Sequence, residues 1–333
     1  MLRVCILGYG GIARSHRKGY ELLKQKGVPV ELAALCDIDE KQFTNVVSIN
    51  NAQDSGAQTA LHTYTDLDNM LKAEKPDIVD ICLPTYLHCE YAVKLLERGL
   101  NVLCEKPMGL DSEQCDKMLD AARKSKGKLM IGMCLRFDSN YLELKKMVDS
   151  GMYGKPTAAF FTRLSGMPGW GYDNWFMDYK RSGGVTLDMH IHDIDMIRFL
   201  FGEPKLCFAV KQDSETTEHT TVVSNFIYPD MIVNAVGDWG MSSTSKFQAG
   251  YRVNFEKATV IYNDHTLTVY PDEGEPFVDE YEKTNHMAGE IEYFVRCILG
   301  EIENTMNRPE DAAASVALAE KIKKSADNKG VLV

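Results

Sequence analysis

A glycine-rich turn near the start of the chain is the feature that most restricts its fold. Gly8 to Ala13 read GYGGIA, directly after the apolar run VCIL and before a helical pattern. The first glycine permits the tight bend, the second lets backbone approach a pyrophosphate, and the small last residue lets the helix pack on the strand. The anion would then lie at the helix N-terminus. Strand, turn and helix together predict a dinucleotide-binding βαβ unit.

Short β-rich runs alternate with helical patterns from the start of the chain to about Arg136. This alternation is typical of a doubly wound parallel sheet with helices on both faces. One helix is predicted between the last two runs, with Asp111 or Ser112 as its N-cap. The predicted strands are residues 3–7, 31–36, 78–82, 101–104 and 129–132.

Beyond Pro156 the pattern changes to alternating strands separated by turn residues. It predicts an α+β domain with a large, mostly antiparallel sheet that has one open face. Because 333 residues exceed the usual size of a single core, we expect a dinucleotide-binding domain of residues 1–134 and a second domain of residues 135–333. The predicted strands are residues 157–164, 220–228, 231–239, 251–262 and 265–270, with hairpin turns at Pro229-Asp230 and Asn263-Asp264. Helices are predicted for residues 287–299, closed by Gly300, and from Pro309 to about Ser325.

An acidic residue follows the second predicted strand. Asp37 can accept hydrogen bonds from both hydroxyls of an adenosine ribose. A 2′-phosphate at this place would meet Asp37, with no arginine immediately beyond it to compensate, so like-charge repulsion favours NAD over NADP. Asp39 is better interpreted as a helix cap than as a cofactor ligand.

Two further strand ends carry distinctive residues, CLPTYLH and CEKP. Ligands of parallel sheets bind at the carboxyl ends of the strands. Lys106 is either a functional cation near a bound nicotinamide or a surface lysine held by Glu105, and the spacing leaves both open. The expected cofactor-binding residues are Gly8, Tyr9, Gly10, Gly11, Ile12, Asp37, Leu83, Pro84, Thr85, His88, Glu105 and Lys106.

The segment GGVTLDMHIHDID, from Gly183 to Asp195, holds two histidines and three carboxylates after a glycine pair. It could be a metal site, an acid/base apparatus or the polar face of a helix. On a helix beginning near Asp188, Asp188 and His192 share a face, whereas His190 points elsewhere. That geometry disfavours a metal site, and His190 is better interpreted as a packed, hydrogen-bonded residue. Asp195 is a third member of the face, a cap, or a salt-bridge partner of Arg198.

Composition narrows the class of partner. The formal net charge of -11, with no long basic cluster, argues against nucleic acid. The apolar runs are short and the N-terminus enters a strand directly, so we expect no membrane span and a cytoplasmic protein. Nine cysteines without C-x-x-C pairing are expected to be reduced core residues. The six in apolar segments are Cys5, Cys36, Cys82, Cys104, Cys134 and Cys207.

In combination, these motifs resemble the glucose-fructose oxidoreductase / inositol dehydrogenase / rhizopine catabolism (Gfo/Idh/MocA) family of NAD(P)-dependent oxidoreductases. The resemblance extends over nearly the whole chain and is carried by GYGGIA, CDID, LPTYLH, EKP, GGVTLDMHIHDID and the closing ALAEKIKKSADNKGVLV. It implies a Rossmann domain followed by an open-faced sheet domain that builds dimers or tetramers, and a secondary alcohol of a sugar, inositol or other polyol as substrate. The family's EKP lysine falls on Lys106, its aspartate after the glycine pair on Asp188, and its next histidine on His192. Inositol dehydrogenases carry two successive arginines where this chain has Leu135-Arg136, which weakens the expectation of myo-inositol itself.

Oxidising a carbinol removes the hydroxyl proton as hydride leaves the carbon, so a base with a pKa near ambient pH must reach that oxygen. His192 is the expected acid/base, and Asp188 can orient its imidazole or bind substrate. Lys106 can donate to the same oxygen and stabilise the developing alkoxide.

Substrate contacts are expected from the loop GMPGWGYDNWFMDYKRS, whose aromatic rings can stack on a sugar ring or equally pin the loop to the surface. Trp175 is the first candidate, and Arg136 is the second. Trp170, Tyr172 and Tyr179 are the other aromatic candidates of the loop.

The sequence therefore predicts an NAD-dependent oxidoreductase acting on a secondary hydroxyl of a sugar, inositol or related polyol. One alternative is a glycoside-cleaving relative that retains NAD and oxidises the sugar transiently. The other is a non-catalytic NAD-linked regulatory protein, against which the joint presence of Lys106, Asp188 and His192 argues.

Overall fold

The computed structural model describes residues 1–44, 48–49, 52–53 and 61–333, which form two compact units. The predicted second domain included the segment Asn285–Ala313, whereas the structure places this segment in the first unit. An amphipathic pattern shows that a helix covers a core, but it does not show which core. The first unit comprises Met1–Cys134, Trp170–Trp175 and Asn285–Ala313, and the second comprises Leu135–Gly169, Phe176–Thr284 and Ala314–Val333.

Strands of the first unit form a six-stranded parallel sheet, as the alternating pattern predicts. In chain order the strands are β1 (Leu2–Leu7), β2 (Val30–Cys36), the separate short pair β3 (Ser48–Ile49) and β4 (Ala52–Gln53), then β5 (His62–Tyr64), β6 (Ile78–Ile81), β7 (Asn101–Glu105) and β8 (Leu129–Gly132). The order across the sheet is β5-β2-β1-β6-β7-β8. The edge strand β5 escaped prediction because it has three residues, two of them exposed.

Helices connect the strands of this sheet, and other helices belong to the second unit. Asp111 accepts a hydrogen bond from the backbone N–H of Gln114 and caps its helix as predicted. The helices are α1 (Gly11–Gln25), α2 (Leu67–Glu74), α3 (Thr85–Glu97), α4 (Ser112–Lys124), α5 (Ser139–Ser150), α6 (Tyr179–Ser182), α7 (Gly184–Asp188), α8 (Ile191–Phe201), α9 (His286–Leu299) and α10 (Pro309–Asp327). Short 3₁₀ helices lie at Glu40–Phe43, Cys134–Phe137 and Tyr172–Met177.

Helix α9 belongs to the core of the first unit, where it packs against α1. A Cβ at Gly19 of α1 would lie 2.9 Å from the Cδ1 atom of Ile291, so the absence of a side chain at Gly19 lets the two helices approach closely. Asn285 caps the helix, and Gly300 ends it with a positive φ of 74°, in agreement with the predicted terminus.

The second unit contains an eight-stranded sheet that is antiparallel apart from one parallel pair. Its strands are β9 (Pro156–Gly166), β10 (Leu206–Gln212), β11 (Thr221–Ile227), β12 (Ile232–Met241), β13 (Gln248–Phe255), β14 (Ala258–Asn263), β15 (Thr266–Pro271) and β16 (Phe277–Val278), in the order β10-β11-β12-β9-β13-β14-β15-β16. The parallel pair is β9 and β12.

Three details of this sheet differ from the prediction. The predicted strand 251–262 is in fact the hairpin β13–β14, which reverses at Glu256 and Lys257, residues without a turn signature. The next turn consists of Asp264 and His265, both with positive φ, one residue later than predicted. β10 and β16 were not predicted.

One face of the sheet is open, as expected. Along β11 every second residue is buried, and the alternate residues are partly exposed. Large apolar side chains stand on the outer face, with Phe160 at 37%, Val210 at 50% and Ile232 at 62% exposure.

Two compositional expectations can be compared with the structure. Among the described residues, no helix combines the length and apolarity needed to cross a membrane. All nine cysteines carry thiols, and seven of them are buried. Cys134, which was expected in the core, is half-buried because it starts the 3₁₀ helix after β8.

Candidate functional site

The glycine turn of the first unit has the geometry of an anion cradle. Gly8 has a φ of +89°, and a Cβ there would lie 2.8 Å from the carbonyl oxygen of Cys82. By contrast, no neighbouring described atom would lie within 4 Å of a Cβ at Gly10. Gly10 occupies the N-cap position of α1 and has no side chain with which to cap the helix. The first turn of α1, from Gly11 and Ile12, therefore presents its backbone to open space, as pyrophosphate binding requires.

The carboxylate of Asp37 is held at the end of β2. Its Oδ2 accepts a hydrogen bond from the backbone N–H of Tyr9 at 2.7 Å, and its Oδ1 accepts one from that of Asp39 at 2.9 Å. Partial burial raises the pKa of Asp37, although these two hydrogen bonds act in the opposite direction. Each oxygen keeps a lone pair for a ribose hydroxyl. Asp39 itself caps the 3₁₀ helix through the N–H of Lys41, which confirms its interpretation as a cap.

The loop after β6 is fixed by a buried histidine. His88 is 1% exposed, and its ring nitrogens lie 2.8 Å from the carbonyl oxygens of Leu83 and Pro107. Burial lowers the pKa of His88, although both carbonyls favour the protonated form. Pro84 occupies the N-cap position of α3 without a side-chain capping hydrogen bond, and the next residue, Thr85, is buried. His88 and Thr85 thus shape the strand-end loops from within.

Glu105 and Lys106 end β7 in different environments. Glu105 is 5% exposed; its Oε1 lies 2.8 Å from Nε2 of His16, and its Oε2 accepts the backbone N–H of Lys106 at 3.1 Å. Burial opposes its ionisation, yet the hydrogen bond from His16 holds the pKa of Glu105 below its usual range. Lys106 is half-buried and precedes a cis bond to Pro107. Glu105 therefore holds the backbone of Lys106.

In the second unit, the predicted single helix from Asp188 is two helices. α7 ends at Asp188 and α8 begins at Ile191, with Met189 and His190 in a turn between them. The break arises because the backbone N–H of His190 bonds to the carbonyl of Val185, five residues earlier. The simple i, i+4 geometry expected for Asp188 and His192 is therefore interrupted.

Exposure nevertheless separates the titratable side chains of this segment. Within residues 182–197, all of which the structure describes, only Asp188 and His192 are partly exposed. His190 is fully buried with its Nε2 at 2.6 Å from Ser224 Oγ, so it is the packed histidine that was expected. Asp193 is buried in an ion pair with Arg163 at 3.0 Å.

Arg136, a predicted substrate ligand, is 3% exposed. Its Nε and Nη2 each donate to a carboxylate oxygen of Asp195 at 2.8 Å, and its guanidinium lies 5.0 Å from the ring centroid of Phe199. Asp195 also accepts a hydrogen bond from Ser315 at 2.8 Å. The suggested Asp195–Arg198 pair is wrong, because Arg136 occupies the carboxylate and Arg198 pairs with Glu203.

The aromatic side chains of the predicted substrate loop differ widely in exposure. Trp170 is 44% and Tyr172 is 52% exposed, whereas Trp175 is only 9% exposed. Tyr179 stacks on His219 at 5.2 Å. Trp170 and Tyr172 therefore present more ring surface to a ligand than Trp175 does.

Sequence reasoning missed one buried polar group of the first unit, formed by His16, Asp80 and Glu105. His16 contacts Asp80 at 2.8 Å and Glu105 at 2.8 Å. Two sequence signals could have indicated it. His16 lies three residues after Ala13, on the face of α1 that packs on the sheet, and Asp80 interrupts the apolar strand IVDI.

Comparison with known proteins connects this geometry to a family. The model described as "Oxidoreductase family, NAD-binding Rossmann fold" (GFO_IDH_MocA) matches residues 2–133, and the GFO/IDH/MocA C-terminal domain matches residues 141–274. Curated relatives include D-glucoside 3-dehydrogenase of Escherichia coli, 32% identical over 61% of this chain and 55% of that protein, and inositol 2-dehydrogenase of Rhizobium meliloti, 34% identical over 61% and 56%. The match thus spans about half the length of these relatives.

A solved structure agrees with the fold across the chain. The aldose-aldose oxidoreductase of Caulobacter crescentus superposes with a TM-score of 0.85, covering 100% of this chain and 99% of the other at 22% identity. At that identity the likeness supports the fold alone.

Proposed function

The chain belongs to the Gfo/Idh/MocA oxidoreductase family, and on that premise we propose that it is an NAD-dependent dehydrogenase acting on a secondary hydroxyl of a sugar, inositol or related polyol. The observation that carries the proposal is the selective exposure of Asp188 and His192 in a segment whose other titratable groups are buried. A carboxylate and an imidazole that a ligand can reach are what proton removal from a carbinol requires.

The residues of the first unit fit a nicotinamide dinucleotide. The open backbone from Gly10 to Ile12 would hold its pyrophosphate, and Asp37 would hold its adenosine ribose. Leu83 and Pro84 would line the site. The buried Thr85, His88 and Glu105 would support these loops instead of touching the cofactor. When bound, the cofactor supplies the hydride acceptor.

Three side chains carry the proposed chemistry. His192 takes the hydroxyl proton during oxidation and returns it during reduction. Asp188 orients the imidazole or binds a neighbouring hydroxyl, and stabilises the imidazolium. Lys106 stabilises negative charge on the substrate oxygen as the proton leaves.

We further propose that NAD is preferred over NADP, because the Asp37 carboxylate would face a 2′-phosphate. The comparison of kcat/KM for the two cofactors tests this preference.

Beside these three side chains, the substrate surface we propose is aromatic. Arg136 supports the segment through Asp195 and is not offered to substrate, because its guanidinium is already engaged bidentately. Trp175 can contribute an edge, and Trp170 and Tyr172 can contribute faces to stack on a ring. The open face around Ile232 is the proposed homodimer or homotetramer surface. The thiols are compatible with a cytoplasmic location.

Purified protein mixed with NAD and a panel of cyclitols, sugars and glycosides, with NADH followed by absorbance, tests the proposed function. We expect NADH to accumulate with at least one polyol and a ketone product to appear in equal amount. Glycoside cleavage without net NADH would instead identify an enzyme that retains its cofactor. NAD binding with no turnover across the panel would favour a regulatory role.

A further inference from the structure

A group of titratable side chains is enclosed in the first unit behind the strand ends. Each member is at most 6% exposed. The proposed chemistry uses none of them directly, although the group ends one residue before Lys106. The members are His16 and Tyr20 of α1, Asp80 of β6 with Cys82 just after it, Glu105 of β7 and Glu290 of α9.

His16 joins two carboxylates on neighbouring strands. Its Nδ1 lies 2.8 Å from Oδ2 of Asp80, and its Nε2 lies 2.8 Å from Oε1 of Glu105. Tyr20 donates its hydroxyl to the same Asp80 oxygen at 2.9 Å. Both ring nitrogens can donate at once only if the imidazole is protonated. Burial opposes that charge, but Asp80 raises the pKa of His16 well above its usual value.

Glu290 lies beside this ion group in a different state. Neither of its carboxylate oxygens has a hydrogen-bond partner among the described residues, and the side chain is fully buried. Burial and the nearby Glu105 raise the pKa of Glu290 well above its usual value. Its surroundings therefore favour the neutral form of Glu290, and neither of its oxygens is hydrogen-bonded to His16.

The final contact of the group reaches the proposed active site. Oε2 of Glu105 accepts the backbone N–H of Lys106 at 3.1 Å. On the adjacent strand, a Cβ at Gly132 would lie 3.1 Å from Oε1 of Glu105, so the absence of a side chain at Gly132 makes room for the carboxylate in this position. We propose that Asp80, His16 and Glu105 form a positioning relay that fixes the backbone, and with it the ammonium group, of Lys106. The inference rests on the proposed function, in which Lys106 acts on the substrate oxygen.

Stability alone is a weak reason for such a relay. A buried ion group is often no more stabilising than apolar side chains of the same volume, because desolvation offsets the attraction between the charges. The hydrogen bonds of the group are directional, which contacts between apolar side chains are not. They hold the Glu105 carboxylate at the end of β7, and a displacement of about 1 Å at a catalytic group can cost roughly a hundredfold in rate.

Two substitutions at His16 separate positioning from packing. In His16→Gln, the amide nitrogen replaces Nε2 and keeps the hydrogen bond to Glu105. In His16→Asn, it replaces Nδ1 and keeps only the bond to Asp80. We expect kcat of His16→Gln to stay within about threefold of wild type and kcat of His16→Asn to fall by roughly ten- to a hundredfold. KM for NAD should change little in both variants. Equal losses of kcat, or losses that follow melting temperature, would overturn the relay.

The pH profile supplies a readout that packing alone would not move. His16 keeps the pKa of Glu105 low, so the carboxylate stays ionised in the acid range. Without contact to His16, burial raises the pKa of Glu105, so a further loss of kcat toward acid pH, beyond the limb that His192 sets, should appear in His16→Asn. It should be smaller in His16→Gln, which loses the charge of His16 but keeps the hydrogen bond. Besides its chain neighbours Cys104 and Lys106, the titratable groups around Glu105 are His16, Cys82, His88 and Glu290, with Asp80 on the other ring nitrogen of His16.

A second measurement needs no substrate and so stands even if the proposed function fails. Acetic anhydride labelling of the full chain, followed by mass spectrometry, reports the reactivity of Lys106 relative to the other lysines. Glu105→Gln should change that relative rate by about threefold or more, because the ammonium group is no longer held in the same place. The same chemical change in the matched control Glu290→Gln should not.

Unchanged Lys106 labelling in Glu105→Gln would exclude the relay. One equivalent of a tightly bound metal ion in the purified protein would also exclude the relay. The ligand atoms of His16, Glu105 and Glu290 lie within 4.8 Å of one another, and an ion bound there would occupy Nε2 of His16 in place of its hydrogen bond to Glu105.

Discussion

Replacing Arg136 by methionine distinguishes the role that the structure gives this residue from a role in substrate binding. Arg136 and Asp195 are 3% and 2% exposed and share two hydrogen bonds of 2.8 Å. In Arg136→Met, the buried Asp195 carboxylate keeps its hydrogen bond from Ser315 but loses both hydrogen bonds and the positive charge of the guanidinium. Such an uncompensated charge costs about 3–5 kcal/mol. At roughly 2–4 °C per kcal/mol for a domain of this size, the melting temperature should fall by on the order of 10 °C.

Calorimetry of the single variant and of the double variant Arg136→Met/Asp195→Leu provides the test. Removing both charges should recover most of the lost stability, because no buried charge is then left alone. KM for the polyol should remain near wild type in the double variant. A single variant that loses less than about 1 kcal/mol while KM rises sharply would refute the reasoning and return Arg136 to the substrate site.

Four other substitutions test the first unit. Gly10→Ala should fold with near-native stability, because the space around the new Cβ is open, yet it should weaken NAD binding about tenfold or more in calorimetric titration. Gly8→Ala should instead destabilise the fold, because Gly8 has a φ of +89° and its new Cβ would clash with Cys82. Asp37→Ser should raise kcat/KM for NADP relative to NAD by about tenfold, and an unchanged ratio would argue against charge repulsion. The pKa of Glu290 is higher in the folded protein than in the unfolded chain. The wild-type protein therefore loses stability as the pH rises above the pKa that Glu290 has in the unfolded chain, because the unfolded chain then releases the proton first. Urea unfolding at several pH values should therefore show Glu290→Gln gaining on wild type toward alkaline pH.

Features that depend on neighbouring residues were predictable from the sequence. The turn from Gly8 to Ala13, the cap at Asp111 and the end of α9 at Gly300 all follow from side chains within a few positions of the feature itself. The fold class followed from the same local signals, because the change from helix-strand alternation to repeated strands near Pro156 marks a change of architecture.

Features that depend on distant residues were not predictable. Arg136 and Asp195 are separated by 59 positions, and His16 and Glu105 by 89, so spacing carried no sign of either contact. The hairpin at Glu256 lacks the residues that usually mark a turn.

Exposure was the missing information for the candidate site. The pattern brought Asp188 and His192 into consideration by an ideal helical spacing, but a break after Asp188 interrupts that helix. Burial of His190, Asp193 and Asp195 is what distinguishes the reachable pair from the others. For the same reason the sequence could not show that Trp170 is far more exposed than Trp175, the first candidate for substrate contact.

The rate of hydride transfer in a single turnover, measured by NADH absorbance against pH for wild type and His192→Asn, tests the central claim most directly. His265→Asn is the matched control, because His265 is an exposed histidine of the same unit in a turn that asparagine tolerates. The proposed role of His192 predicts that His192→Asn lowers the rate by roughly a hundredfold to ten thousandfold and removes the acid limb of the profile, while His265→Asn changes neither. A His192→Asn enzyme that transfers hydride at the wild-type rate with an unchanged profile would contradict it.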